Sequence, residues 1–73
     1  MKIKEYVLKN KVQEYRLQYG LSQQKLADEV GVSRNTIYTI EHGDVDIGSA
    51  LALKLSLYFR VPYEEMFRME RKK

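Results

Sequence analysis

The chain has 73 residues, a net charge of +3 and no cysteine. This length allows one small core, and the lack of cysteine excludes disulfides, thiolate metal sites and a cysteine nucleophile. No apolar run approaches the roughly 20 residues of a membrane span and no signal-peptide pattern is present, so we expect a cytoplasmic single domain over residues 1–73 without a membrane partner.

Basic residues concentrate at the two ends of the chain. Residues 1–16 and residues 68–73 each carry a net charge of +3, so the middle carries −3. A basic balance favours nucleic-acid partners because it neutralises phosphates, but charge runs at chain ends are usually solvated. Charge alone therefore does not decide the function.

The two ends leave alternatives open. Residues 1–7 (MKIKEYV) alternate apolar and charged side chains like a short edge strand, and residues 67–70 are a candidate antiparallel partner. The other interpretation is that both ends are frayed tails. Residues 1–8 and 68–73 are therefore interpreted as either strand or flexible.

Three helical segments follow the N-terminal region, separated by glycines. Gly20 ends the first segment because glycine accepts a left-handed backbone at low cost. Ser22 caps the second helix, and Gly31 permits a sharp turn after it. Ser33 then caps a third helix that ends at Gly43. The buried stripe of the second helix consists of Leu26, Ala27 and Val30.

Two more helices are predicted after a polar loop at residues 44–48. The fourth runs from Ser49 to about Arg60 and is apolar around most of its circumference. Such a helix needs burial on more than one side, in the core or at a subunit interface. Pro62 opens a short fifth helix. The predicted fold class is therefore all-α, a five-helix bundle.

Residues 22–43 (SQQKLADEVGVSRNTIYTIEHG) have the arrangement of a helix-turn-helix. Ala27 is small where the second and third helices cross, and Gly31 supplies the turn. The wedge that fixes the angle between these helices is formed by Leu26, Val32, Ile37 and Ile40. The third helix is thereby held outward. Its solvent face presents side chains that can hydrogen-bond base edges or phosphates in a major groove, namely Arg34, Asn35, Tyr38 and Thr39.

The segments GLSQ, LADEVGVSRNTI, IEHG and PYEEMF resemble the Cro and lambda-repressor type of helix-turn-helix family, also called the XRE family. The resemblance covers residues 11–67 and includes the fourth and fifth helices. It implies a lambda-repressor-like five-helix bundle that binds an operator in double-stranded DNA.

Residue roles are implied by the same resemblance. Arg34, Asn35 and Thr39 match the family's base-reading positions. Tyr38 either contacts DNA, at the sugar-phosphate or a thymine methyl, or packs on its own helix. The resemblance also implies contacts to the DNA backbone from Gln23, Thr36 and His42, and the further candidates for such contacts are Ser33, Lys9 and Lys11. Gln23 is also expected to brace the third helix, and Arg16 and Glu41 match a partly buried ion pair joining the first and third helices.

The loop after the third helix departs from the family pattern. Asp44, Val45 and Asp46 stand where relatives commonly carry a lysine or arginine and then a proline. An acidic loop repels phosphate, so either it points away from DNA or operator affinity is modest. In the second case binding depends on Lys9, Lys11 and the basic ends.

Other kinds of site have little support. His42 is the only histidine, and the sequence shows no residues near it that would complete a serine–histidine–aspartate triad or a metal site. We therefore predict no enzyme activity, no metal and no cofactor. Asp44 and Asp46 lack the remaining pattern of a calcium loop. The alternative of a different class is a protein-interaction module, such as an antitoxin or an adaptor, built on the same bundle.

The predicted function is that of a DNA-binding transcriptional regulator, with a repressor as the default. A symmetric homodimer is expected to bind a pseudo-palindromic operator with the third helix in the major groove. Its interface is predicted on apolar surface of the fourth and fifth helices and the residues after them. The residues proposed for this interface are Leu55, Tyr58, Phe59, Pro62, Met66, Phe67 and Met69.

Overall fold

Five short helices and a two-stranded sheet make up the fold in the computed structural model, which describes residues 3–43 and 47–71. After a 3-10 turn at Ile3–Glu5, the elements in chain order are β1 (Tyr6–Asn10), α1 (Val12–Gln18), α2 (Gln23–Val30), α3 (Arg34–His42), α4 (Ser49–Phe59), α5 (Tyr63–Met66) and β2 (Phe67–Arg71). The predicted five-helix architecture is confirmed. The acidic loop at residues 44–46 lies outside the described residues. No helix in the described ranges is long and apolar enough to cross a membrane.

Strands β1 and β2 pair as an antiparallel sheet, in a register that places Tyr6 opposite Arg71 and Asn10 opposite Phe67. The sheet confirms one of the two predicted alternatives, but its first strand is β1 and not residues 1–7. The strand extends beyond residue 7 to Asn10, and Leu8 packs against the core. Asn10 ends the strand: its Oδ1 accepts from the Val12 N–H at 3.0 Å, and its Nδ2 donates to the Ile40 carbonyl at 3.1 Å.

The predicted start and stop signals of the helices are present. Ser22 Oγ accepts from the Lys25 N–H, and Ser33 Oγ accepts from the Thr36 N–H. After α2, Gly31 adopts a φ of +80°, which lets the following N–H donate back to the Ala27 carbonyl at 2.9 Å. These local bonds satisfy backbone groups that would otherwise be left unpaired at the helix ends.

Arg60 ends α4 in the same left-handed conformation, with a φ of +57°. The Val61 N–H donates back to the Ser56 carbonyl at 3.0 Å, as the residue after a helix-ending glycine commonly does. An L side chain costs about 1 kcal/mol in this region, because its Cβ crowds the following carbonyl. The C-terminal end of α4 therefore places a non-glycine residue, Arg60, in a backbone conformation that favours glycine.

The core joins all five helices and the start of β2. Its buried apolar residues are Val12, Leu26, Ala27, Val30, Ile37, Ile40, Ala52, Leu55, Phe59, Met66 and Phe67. The prediction that Leu55, Phe59, Met66 and Phe67 form exposed apolar surface is therefore wrong, because each is at most 3% exposed within one chain. The core of a 73-residue chain needs these large side chains for itself.

Candidate nucleic-acid interface

Helix α3 is held against the bundle by one side only. Ile37 and Ile40 are buried on that side, and they pack in the same cluster as Leu26 and Ala27 of α2. The partly buried Val32 closes the turn between the two helices. The wedge predicted from the sequence is therefore present, and it leaves the opposite side of α3 facing outward.

The outward side of α3 carries the predicted base-reading residues. Arg34, Asn35, Tyr38 and Thr39 are all exposed. They lie on one side of the helix because each residue turns the chain by about 100°. Their amide, guanidinium and hydroxyl groups are the groups that recognise base edges in a major groove. The structure thus brings these four residues together on one surface.

The N-terminus of α3 holds two hydroxyls beside this surface. Ser33 Oγ and Thr36 Oγ1 lie 3.0 Å apart and share a hydrogen bond. Ser33 is exposed and Thr36 is half-buried. Hydroxyl groups at a helix N-terminus are suited to phosphate contacts, since the helix dipole also favours an anion there.

A buried ion pair joins α1 to α3, as the family resemblance implied. Arg16 Nε donates to Glu41 Oε2 at 2.6 Å, and Arg16 Nη2 donates to Glu41 Oε1 at 3.1 Å. The Glu41 side chain is 0% exposed. Arg16 also donates from Nη1 to the Leu21 carbonyl at 2.7 Å, so the pair fixes the α1–α2 connection as well.

Gln23, the first residue of α2, joins this pair to the exposed surface. Its Nε2 donates to Glu41 Oε1 at 3.1 Å, and its Oε1 accepts from Arg34 Nη1 at 3.4 Å. Gln23 therefore contacts α3 both at its first residue, Arg34, and near its last turn, at Glu41. These two contacts agree with the bracing role expected for Gln23. Its partners Glu41 and Arg34 could not be predicted from the sequence, because the three residues come from different turns of two helices.

Tyr38 packs on its own helix. Its ring stacks on the ring of His42, and the Nδ1 of His42 lies 3.0 Å from the Tyr38 carbonyl. A carbonyl only accepts, so Nδ1 carries the proton and Nε2 is the ring nitrogen left for a further partner. Tyr38 nevertheless keeps 46% of its surface exposed, so the stack orients the ring without hiding it.

The two predicted lysine contacts line one cleft together, but only Lys9 also lines a cleft at α3. Lys9 of β1 lines a cleft with His42 and Gly43, at the C-terminal end of α3. Lys11 is exposed and lines another cleft with Glu65 and Arg68, to which α3 contributes no residue. The structure therefore brings Lys9, but not Lys11, to the end of α3.

Arg68 faces Lys9 across the sheet, a relationship that sequence reasoning missed. The register of the sheet sets it directly opposite Lys9, on the face that also carries Glu70, its ion-pair partner. Two like charges opposite each other weaken a strand pair. Only the register of the sheet shows that Lys9 and Arg68 face each other. The charge count of the sequence includes both residues but does not show that they are neighbours.

Comparison with known proteins agrees with this geometry. The family model described as Helix-turn-helix matches residues 12–66. The chain belongs to the XRE-type helix-turn-helix family. The match begins at the first residue of α1 and ends at the last residue of α5, so it contains all five helices but neither strand of the sheet.

Two relatives of this helix-turn-helix chain match over most of their length. An uncharacterised HTH-type transcriptional regulator of Bacillus subtilis, YgzD, is 44% identical over 63 residues, covering 86% of this chain and 96% of the relative. An uncharacterised HTH-type transcriptional regulator of Methanocaldococcus jannaschii is 43% identical over 63 residues, with the same coverage.

A solved structure shares the fold of this helix-turn-helix chain. It is the restriction-modification controller protein C.AhdI from Aeromonas hydrophila, with a TM-score of 0.68 and 29% sequence identity. The likeness covers 75% of this chain and 83% of the controller protein. The family is thus one of transcriptional regulators, a kind of protein that is not enzymatic.

Proposed function

We propose that this protein binds double-stranded DNA in a sequence-specific manner, with α3 in the major groove. The observation that carries the proposal is the division of α3 into two sides. Ile37 and Ile40 anchor one side in the core, while Arg34, Asn35 and Thr39 stand exposed on the other. A helix held this way can enter a groove without disturbing the fold.

The backbone contacts of the proposal flank this surface. Gln23 and Ser33 lie at the N-terminal ends of α2 and α3, where the positive ends of the helix dipoles attract phosphate. His42 and Lys9 lie at the opposite end of α3. Phosphate contacts on both sides of the base-reading residues fix the register of a protein on the duplex.

We also propose that the protein acts as a homodimer on a pseudo-palindromic operator, with half-sites about one helical turn apart. Because several residues predicted for the dimer interface are buried in the core, the surface that we propose instead consists of exposed apolar residues on α4 and after it. Leu57 is 79% exposed and Leu53 is 54% exposed. Leu57 lies between two neighbouring grooves, of which one contains Tyr58 and the other contains Pro62.

This surface has charges of both signs beside its apolar centre. Asp28 and Glu29 of α2 line the groove that also contains Lys54 and Leu57. A two-fold axis brings the same patch of two copies together, so the carboxylates of one copy can face the lysine of the other. Met69, predicted for the same interface, lies on β2 opposite Leu8 and outside both grooves.

A repressor is the mode of regulation that we propose. A dimer bound across a promoter obstructs polymerase by occupancy alone, whereas activation requires an additional contact with the transcription machinery.

The test is selection of bound duplexes from a random DNA library, followed by titrations at several salt concentrations. We expect an enriched pseudo-palindrome whose specific binding exceeds non-specific binding by at least a thousandfold, as is typical of such proteins. Binding without enrichment and with a steep salt dependence would show phosphate attraction alone, and would contradict sequence-specific regulation.

A further inference from the structure

One of the two ring nitrogens of His42 is used within the protein. Its Nδ1 lies 3.0 Å from the Tyr38 carbonyl oxygen, one turn earlier in α3. Because a carbonyl only accepts, Nδ1 carries a hydrogen and donates it there. A neutral imidazole has a single N–H group. In the neutral form of His42, Nε2 therefore carries a lone pair and no hydrogen.

A DNA phosphate is a poor partner for the neutral ring. Its oxygens carry negative charge and have no hydrogen, so they accept hydrogen bonds and cannot donate them. A phosphate oxygen and a bare Nε2 are two acceptors. A direct contact between them needs a hydrogen on Nε2, and while Nδ1 stays bonded to Tyr38 only the protonated ring supplies one. The contact is then also charge-assisted.

The position of His42 in α3 favours a positive ring. His42 is the last residue of the helix and is exposed. The C-terminal end of a helix dipole is partly negative and stabilises a cation there. The Tyr38 ring stacks on the imidazole, and the face of an aromatic ring attracts a cation. The protonated form therefore has two sources of stabilisation within its own helix.

The charged residues that line the cleft beside His42 are Lys9 of β1 and Glu41 of α3. The Glu41 carboxylate is held in its buried ion pair with α1. The Lys9 ammonium is a like charge, which disfavours a second cation nearby in the free protein. A phosphate at this cleft attracts both cations, so the protonated ring gains more from DNA than the neutral ring does. Asp44 and Asp46 follow in the sequence and lie outside the described residues.

We infer that His42 binds the DNA backbone as an imidazolium, donating from Nε2 to a phosphate oxygen, so that operator binding takes up one proton. This inference rests on the proposed DNA-binding function. Histidine is the side chain that ordinarily changes charge between about pH 5 and 8, and His42 is the only one in the chain. Operator affinity should therefore fall as the pH rises through this range, because the complex holds more protons than the free protein.

The experiment measures operator binding of the full chain from about pH 6 to about pH 8 at constant salt. Two variants keep the charge at position 42 constant over this range. His42→Gln has a neutral N–H donor at every pH, and His42→Lys has a positive charge at every pH. Both variants retain the α-amino group, which also titrates near neutral pH, so they report its contribution. Circular dichroism verifies that each protein is folded at each pH.

We expect the wild-type affinity for the operator to fall about tenfold between about pH 6 and about pH 8, as the charge-assisted contact is lost. The affinity of either variant should change by less than about twofold. The wild-type slope of log K against log salt should be steeper at low pH by about 0.9, the value for one phosphate contact. The slope of His42→Gln should be the same at both ends of the pH range.

Calorimetry in two buffers of different ionisation enthalpy counts the protons taken up when the operator binds. We expect uptake by the wild-type protein near neutral pH and none by the two variants.

Two results would overturn the inference. One is sequence-specific binding by the wild-type protein with the same affinity across the pH range. The other is a pH dependence that persists in His42→Gln and His42→Lys, which would assign the proton to another group. A wild-type protein without base preference at any pH would instead contradict the proposed function itself, so the two failures are distinguishable.

Discussion

Tyr38 and His42 stack on the outward side of α3 with ring centroids 4.0 Å apart and planes inclined by 16°. The two residues are one helical turn apart, and the hydrogen bond from His42 to the Tyr38 carbonyl holds the imidazole in place. An aromatic ring supported in this way is ordered before DNA binds. The cost of ordering it at the interface is therefore reduced.

This stack predicts different effects for its two members. His42→Ala removes a proposed contact to the DNA backbone and should weaken binding to all DNA sequences by a similar factor. Tyr38→Ala removes a side chain from the base-facing side and should change preference at one base position. Binding to a panel of single-base operator variants measures both effects. An unchanged base profile in Tyr38→Ala would show that the ring serves only to pack on His42.

Arg34→Ala should cost about 1–3 kcal/mol of operator binding and relax specificity at one base position. The reason is that a guanidinium on the outward side of α3 can bond both acceptors of a guanine. Titrations against the operator and its single-base variants measure the change. Equal loss on every sequence would show that Arg34 bonds a phosphate.

Lys9→Ala should weaken binding on all sequences alike and should lower the slope of log K against log salt by about 0.9, the value for one phosphate contact. Lys11→Ala should have a smaller effect, because its cleft lies on the side of the sheet and contains no residue of α3. Salt titrations of the two variants test this order. A larger effect for Lys11 would place the DNA backbone nearer to the start of α1.

Leu57→Glu should shift the protein from dimer to monomer at micromolar concentration. The substitution puts a charge on the most exposed leucine of the proposed interface. The control is Leu17→Glu, since Leu17 is 61% exposed on α1 and lines neither groove of α4. Sedimentation equilibrium measures both. A monomeric wild-type protein, or a dimer that Leu57→Glu leaves intact, would contradict the proposed interface.

Arg60→Gly should raise the free energy of unfolding by about 0.5–1 kcal/mol, since glycine adopts the left-handed backbone at the end of α4 without crowding. For a domain of this size, 1 kcal/mol corresponds to roughly 4–8 °C in Tm. Arg60→Ala is the control, because it removes the long side chain but keeps the Cβ. Thermal unfolding of the wild type and the two variants, at one fixed protein concentration, measures the change in Tm. An equal rise in Tm in both variants would show that the effect comes from loss of the long side chain and not from the backbone conformation.

Local signals made much of the fold predictable from the sequence. Ser22 and Ser33 cap their helices by accepting a hydrogen bond from the backbone N–H three residues later. Gly31 adopts a left-handed conformation that few other residues tolerate. Each of these signals acts within a few residues. The outward side of α3 was predictable for a similar reason, since helical spacing alone separates Ile37 and Ile40 from the polar residues between them.

Other features depend on contacts that periodicity does not encode. Helix α4 is apolar on nearly every side, so its pattern could not show that Leu55 lies in the core while Leu57 lies outside. Arg60 has no sequence signature of a left-handed residue. The bonds from Gln23 to Glu41 and Arg34 needed the crossing of α2 and α3, which only the packed structure defines.

The pairing of β1 with β2 has a consequence for the kinetics of folding. Its partners are 57 to 65 residues apart in sequence, so we expect the strands to meet only after the intervening helices have docked. We predict that these contacts form late, on the native side of the folding transition state. Weakening the sheet should therefore speed unfolding and leave the folding rate nearly unchanged, which makes the joined ends of the chain a determinant of how long each molecule stays folded.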